Sequence, residues 1–400
     1  MPDNVTYPTP ESMAARWATL AREIAAARGE GACKAGPGRL VVLGSGMSHS
    51  DFTRDVEPEI QSADYVFYCL YDRVTQVWLG RLRPDAFDLT VLYSASQDRY
   101  YTYIQMAEAL LHHVRRGKKV VAIYYGHPGI FATPGHRAVR IARREGHEAL
   151  MRPGISALDY LVADIGFDPA LPGLLSYEAT DLLLRRRPLD SRLHVVLWQV
   201  GVVGDFGFRP EGFENKGYDL LVDALEQTYG PDWKVIHYNA PHYAGVEPLI
   251  DEHRIDSLRT PEVRNRLSSL STFYIEPQDA VETDAEMSVN LGHTIPGQPV
   301  NPPERAYDIA KYDTHEEAAI LSLRDFEVAL PYFLPEDTPG IDFMLALSRD
   351  VSLQAQYRSD PAAALDDPRF DQLNDRARKL LAIPHPRAIS AGIAEPATNP

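Results

Sequence analysis

The sequence predicts an α/β protein built as two lobes around a cleft, followed by an extended arm and a small C-terminal helical module. Three observations carry that expectation. From Arg39 onward, short apolar runs alternate with stretches of helical periodicity, the pattern of a mainly parallel sheet with covered faces. The runs fall into two groups that part near residues 168–175. Beyond Pro277 the periodicity fades into chain rich in Pro, Asp and Glu, then returns as helix from residue 341.

Taken in order, residues 10–29 are rich in Ala, Leu, Arg and Glu. They read as one amphipathic helix, closed by the glycines between Gly29 and Gly38. Strands are expected at 39–43, 65–69, 89–93, 119–124 and 149–152, and in the second group at 194–200, 234–238 and 272–276. Between 93 and 119, Tyr103, Ala107, Leu110, Leu111 and Val114 recur at helical spacing. Ser94, Ser96 or Asp98 stands where a cap for that helix belongs. His112 and His113 fall on its outer face and read as solvated. Residues 341–393 form helices punctuated by Asp360-Pro361 and Asp367-Pro368, and 394–400 read as a disordered tail.

Composition narrows the function classes. Four hundred residues give ample length for a core, and 44% hydrophobic with 24% charged residues is ordinary for a globular protein. The formal charge, 40 − 56 = −16, speaks against nucleic acid as a partner, since phosphate neutralisation needs clustered Lys and Arg. Two cysteines, Cys33 and Cys69, are too few for a disulfide scaffold and fit a reducing cytoplasm. No run of about 18 apolar residues predicts a membrane span, and the amino terminus has no signal-peptide pattern. The sequence lacks a P-loop, a His-Glu-x-x-His, a Cys-x-x-Cys and a Gly-x-Ser-x-Gly elbow, so no metal is expected.

Two places carry chemistry. Tyr125-Gly-His-Pro-Gly129 follows a buried strand at its carboxyl end, where open α/β sheets bind ligands. Arg99 and Tyr103 are i, i+4 neighbours, so a guanidinium and a phenol share a helix face. A cation beside a phenol favours the phenolate, which makes Tyr103 a candidate base. Gly44-Ser-Gly46 after the first strand and Arg152-Pro-Gly-Ile-Ser-Ala157 are two further loops at strand ends, each weak alone.

In that order, the three loops resemble the tetrapyrrole (precorrin) methylases, a two-lobed α/β fold. The likeness sharpens toward the borosin peptide backbone α-N-methyltransferases of the omphalotin type. It runs through Val66-Phe-Tyr-Cys69, Arg99 with Tyr-Thr-Tyr-Ile-Gln-Met106, and Tyr124-Tyr-Gly-His-Pro-Gly-Ile-Phe131. Leu175-Ser-Tyr-Glu-Ala-Thr-Asp181, Trp198-Gln-Val-Gly201, His237-Tyr238 and Leu270-Ser-Thr-Phe-Tyr-Ile275 continue it.

The resemblance implies S-adenosyl-L-methionine as cofactor, bound between the lobes, and methyl transfer to the backbone amides of a peptide. It implies Tyr103 as base, Arg99 as donor to the amide oxygen and Tyr93 in support. Tyr125, His127, Ile130, Ser156, Ala157, Gln199, Tyr238, Ser271 and Thr272 match the family's cofactor-lining positions. The implied domains are an extension (1–38), the methyltransferase lobes (39–278), a clasp arm (279–340), a leader-binding-like module (341–393) and a tail (394–400). In the family the arm clasps a second protomer into an interlocked homodimer.

Two departures stand out. Thr90 occupies a position where the family carries a tyrosine. Only about fourteen residues follow Pro386, with Ile389, Ala391, Gly392, Ile393 and Ala394 as the N–H groups a self-methylating enzyme would reach. The peptide is therefore either the chain's own C-terminus or a precursor in trans. The alternatives left open are a small-molecule methyltransferase of the same fold and a catalytically dead peptide-binding dimer.

Overall fold

The computed structural model describes residues 9–27, 36–208, 212–293, 314–327 and 338–397. Residues 1–8 and 28–35 of the expected extension, 294–313 and 328–337 of the expected arm, and the last three of the tail lie outside the described residues. The chain forms two compact units, Met1–Phe52 with Ala63–Asp308, and Thr53–Ser62 with Ile309–Pro400.

The first lobe of the first unit opens with α1 (Pro10–Ala27) and β1 (Arg39–Gly44); α2 (Val56–Gln61) belongs to the second unit. β2 (Tyr65–Cys69), α3 (Arg73–Leu82), β3 (Phe87–Asp88) and α4 (Arg99–Val114) follow. β4 (Lys119–Tyr124), α5 (Thr133–Arg144) and β5 (Glu148–Met151) complete it. Its five strands lie in the order β3-β2-β4-β1-β5, all parallel. Leu40, Val41, Val42 and Leu43 have no exposed surface, as expected of a parallel strand covered on both faces. That is why these strands read as continuous apolar runs.

Two expectations fail in this lobe. Residues 89–93 are not a strand: Leu89–Leu92 is a turn of 3₁₀ helix. Asp88 Oδ1 accepts the Thr90 N–H at 2.9 Å and the Thr90 hydroxyl at 2.6 Å, and this local capping competes with a sheet ladder. Nor are His112 and His113 solvated. Helix α1 covers that face of α4, and both rings are buried. His112 Nε2 meets Glu23 at 3.1 Å, while His113 stacks on Tyr65 with ring centres 3.5 Å apart. Burial, with His112 beside it, pushes His113 down to about 3, so it is a neutral packing ring. Trp17 anchors α1 edge-on against Phe67 and Phe87.

The second lobe begins with α6 (Ala157–Ile165), β6 (Leu174–Glu178), α7 (Ala179–Arg185) and β7 (His194–Trp198). It continues with α8 (Tyr218–Tyr229), β8 (Lys234–Asn239), β9 (Leu249–Arg254), α9 (Pro261–Arg264) and β10 (Thr272–Ile275), and α10 (Ala285–Asn290) follows. The strand order is β6-β7-β10-β8-β9. Only β6 and β7 are parallel; β10 runs antiparallel between β7 and β8, and β9 is antiparallel to β8. The expectation of a mainly parallel sheet is thus corrected for this lobe. Edge strand β9 alternates half-buried and exposed residues, the signature of a sheet with one wet face.

In the second unit, α11 (Thr314–Ser322) precedes α12 (Pro339–Arg349), α13 (Val351–Ser359), α14 (Pro361–Leu365), α15 (Asp375–Leu381) and α16 (Pro386–Ile393). Asp350, Asp360 and Asn374 cap α13, α14 and α15 through their side-chain oxygens. Phe343, Leu353, Leu365, Phe370 and Leu381 form a core of their own. The tail is less free than its composition suggests: Glu395 pairs with Arg376 at 3.0 Å, Asn374 donates to the Pro396 carbonyl, and Ala397 bridges to Leu373.

Candidate active site

The carboxyl ends of β1 and β4 come so close that side chains are excluded. A Cβ on Gly44 would run into the Gly126 carbonyl and the Gly154 Cα. Gly126 holds φ +69, a conformation open to glycine at little cost. Two hydrogen bonds between Gly46 and Gly126 join the loops after these strands. The loops from the glycine-rich turn, from Tyr125-Gly-His-Pro-Gly129 and from Gly154-Ile-Ser156 therefore converge on one mouth. Ser156 begins α6 by capping Leu158 and Asp159, with Asp159 returning a bond to the Ser156 N–H at 2.6 Å.

A cavity of about 320 Å³ opens there, between the two lobes of the first unit, within the usual range for a small-molecule site. Arg99, Tyr103 and Tyr93 line it, as do Tyr125, His127, Ile130, Ser156, Ala157, Gln199 and Thr272. Tyr238 and Ser271 do not. Tyr238 is fully buried with its hydroxyl on Asp164 at 2.7 Å, and Ser271 is buried against His237 at 2.8 Å. Alternation along a strand turns neighbours to opposite faces, so of the pair Ser271-Thr272 only Thr272 reaches the cavity.

Asp98 starts α4 by accepting the Tyr100 N–H at 2.7 Å, which sets Arg99 and Tyr103 one turn apart. The second lobe fixes the arginine: its Nη2 donates to the Asp205 carbonyl at 2.6 Å and its own N–H to the Phe206 carbonyl at 2.9 Å. Tyr93 and Tyr103 meet edge to face with ring centres 6.5 Å apart. Phe208 stacks on Tyr93 at 4.7 Å.

The electrostatics correct one expectation. Burial raises the Tyr103 phenol above its ordinary value, although Arg99 and the neighbouring Tyr93 hydroxyl both pull it down. Tyr93 is raised far more, by burial first. Desolvation thus outweighs the cation, and the resting phenol is protonated. Cys69 also lines the cavity, but burial and then Asp88 push its thiol up to about 12, so it is no nucleophile.

Several lining residues went unassigned from sequence: Tyr71, Thr90, Phe131, Trp198, Phe208, Phe213 and His242. Phe131 and Trp198 stood inside the recognised motifs; Phe208 and Phe213 lie in a loop without periodicity. Phe131 (φ 54) and Gln199 (φ 58) are non-glycine residues in left-handed conformation. Such strain costs about 1–3 kcal/mol each and clusters at functional sites.

A family profile for tetrapyrrole (corrin/porphyrin) methylases matches residues 39–229. A methyltransferase/ribosomally synthesized type I borosin cyclic peptide precursor from Serendipita vermifera subsp. bescii is 40% identical over 82% of this chain and 83% of its own length. The methyltransferase/omphalotin A precursor of Omphalotus olearius is 36% identical over 82% and 81%. A type III borosin precursor from Anomoporia bombycina is 41% identical over 82% of this chain, which spans 40% of that relative's length. Among solved structures, the uroporphyrin-III C-methyltransferase of Thermus thermophilus covers 62% of this chain and 99% of its own, at 17% identity and a TM-score of 0.42.

Proposed function

The chain belongs to the borosin methyltransferase/precursor family, and from that premise we propose that it methylates backbone amide nitrogens of a peptide, with S-adenosyl-L-methionine as donor. The observation that carries the reading is the convergence of Arg99, Tyr93 and Tyr103 on one inter-lobe cavity.

Resonance ties up the amide nitrogen's lone pair, so the nitrogen attacks only once its proton leaves. Arg99 is suited to hold the amide oxygen as charge develops there, because the Asp205 carbonyl takes only one of its N–H groups. A preorganised donor of this kind contributes about 3–4 kcal/mol. Tyr103 is the group placed to take the proton, through its oxygen. The Arg99 charge and then the neighbouring Tyr93 hydroxyl both favour the phenolate that must form. Thr90, which lines the cavity where the family has a phenol, supplies only a short hydroxyl already committed to Asp88.

The residues fit the cofactor. Gly44 and Gly126 let main chain approach a ligand closely, and the rings of Tyr71, Tyr125, Phe131 and Trp198 offer faces that attract a sulfonium. When bound, S-adenosyl-L-methionine supplies the electrophilic methyl group.

The substrate reading favours a peptide other than the residues of α16. Ile389 N–H is bonded to the His385 carbonyl at 3.0 Å, Ile389 and Ile393 pack on the helical core, and Gly392 is buried. Methylating such amides requires that helix to unwind first. An interlocked homodimer, implied by the family likeness, is part of the reading; light scattering on the purified protein tests it.

The deciding experiment is incubation with S-adenosyl-L-methionine and peptides rich in Val, Ile and Gly, read by fragment mass. Backbone-localised steps of one methyl are expected. Methylation confined to a tetrapyrrole overturns the reading in favour of a small-molecule enzyme. Absence of any cofactor binding heat overturns it in favour of an inactive binding protein.

A further inference from the structure

Apart from the cavity, the second sheet brings together three groups that the methyl-transfer reading does not use. His237 on β8 and Asp251 on β9 are register partners, and His253 follows Asp251 by two residues. Strand alternation therefore puts all three side chains on the same face. One donor atom from each lies within 4.8 Å of the other two. His237 has no exposed surface. Its Nδ1, the Asp251 Oδ2 and the His253 Nε2 are buried without a hydrogen-bond partner.

Native interiors rarely leave even one such atom unsatisfied; Asp251 has an ion-pair partner in Arg266, but the two imidazole nitrogens beside it ask for a common partner. A tetrahedral zinc-like ion with N and O donors at about 2.0–2.2 Å places its ligand atoms roughly 3.3 Å apart, within reach of small side-chain rotations here. The supporting hydrogen bond is also present. His237 Nε2 lies 2.8 Å from Ser271 Oγ, which accepts the Ser268 N–H at 2.9 Å. With Nε2–H donating to Ser271, the lone pair on Nδ1 stays available, the arrangement that fixes the tautomer of metal-binding histidines.

We propose that His237, Asp251 and His253 form a binding site for a divalent transition metal of the zinc class, with water completing its coordination. The ion would tie edge strand β9 to β8 and, through Ser271, to the segment whose Ser269, Leu270 and Thr272 line the cavity. Burial holds both imidazoles neutral at physiological pH, with His237 pushed down to about 4 and His253 lowered; neutral imidazole is the form that ligates. Arg266 Nη2 sits 2.7 Å from Asp251 Oδ2, outside hydrogen-bonding geometry, and half of its side chain is in solvent. A metal at this site would displace that guanidinium from the Asp251 oxygen it now pairs with. The sequence carries no linear ligand motif because the donors meet only across the β8–β9 pair.

The test uses the full-length untagged protein, stripped with a chelator and then titrated with Zn²⁺ against a chromophoric competitor, with Co²⁺ as a spectroscopic probe. One zinc per chain, tetrahedral-type visible bands with Co²⁺ and a rise in thermal midpoint are expected. His253→Ala should weaken zinc binding by about 100-fold and abolish the midpoint shift. Ser271→Ala should weaken it by about 10–100-fold, as loss of an outer-shell partner does. Should His253→Ala not fold, Asp251→Asn decides in its place. Failure of the wild-type protein to take up zinc or cobalt above background, or equal binding by wild type and the ligand variant, overturns the proposal.

Discussion

The two lobes of the first unit solve different problems with sheets of the same size. The first is wholly parallel, covered on both faces, and ends in glycine-tightened loops. It carries both phenols and the arginine. The second is mostly antiparallel, with a half-solvated edge. To the reacting groups it contributes main-chain carbonyls from Asp205 and Phe206, and the stacked ring of Phe208. On the proposed reading this is a division of labour: one lobe would supply the groups that exchange protons, while the other holds them in place.

Substitutions in each lobe test that division. The largest effect is expected from Tyr103→Phe, which should lower kcat by about 10²–10⁴-fold, the range for a lost general base, with cofactor affinity by calorimetry unchanged. Arg99→Ala should follow, at about 10²–10³-fold in kcat. Unchanged turnover in both variants would end the assignment.

The pH profile comes next. Because burial raises the Tyr103 phenol above its ordinary value of 10.0, the active phenolate is a minor species at neutral pH. Below that raised pKa its population grows about tenfold per pH unit. The expected kcat/KM therefore climbs through pH 7–9 without levelling; a plateau below pH 9 would assign the proton to another group.

Phe208→Ala, in the positioning lobe, should cost less than about tenfold and act mainly on KM, since it removes a stacking contact worth about 1 kcal/mol. If it matches Tyr103→Phe, the division of labour is wrong. Smallest of all, Gln199→Gly relieves a left-handed conformation costing about 1–3 kcal/mol but adds unfolded-state freedom. Chemical denaturation should show stability within about 1 kcal/mol of wild type.

Much of this was legible in the sequence where local signals decide. The strands expected at 39–43, 65–69 and 119–124 are found there because strands buried on both faces read as apolar runs. The family likeness, now carried by relatives at 36–41% identity, was readable in loops whose glycines serve close backbone contacts. The misses share a cause: each depends on something distant in the chain. Helix α1 meets His112, the β2 rings of Tyr65 and Phe67 pack on His113, and β9 escaped notice because its exposed alternate residues are Ile250, Glu252 and Arg254. The cation beside Tyr103 was visible as spacing, whereas the stronger effect of desolvation comes from walls contributed by both lobes.

Arg99 is gripped by peptide carbonyls rather than by a partner side chain, and this has a practical edge. Swapping the side chain at position 206 leaves those oxygens where they are, so scanning there will read as tolerance. Asp205 Oδ2, by contrast, also accepts the Glu214 N–H at 3.3 Å and helps shape the loop. Retuning the guanidinium demands a different loop path, through an insertion, deletion or graft between β7 and α8. Anyone reshaping this protein toward new peptides can therefore vary position 206 while keeping Asp205 and the length of the loop fixed.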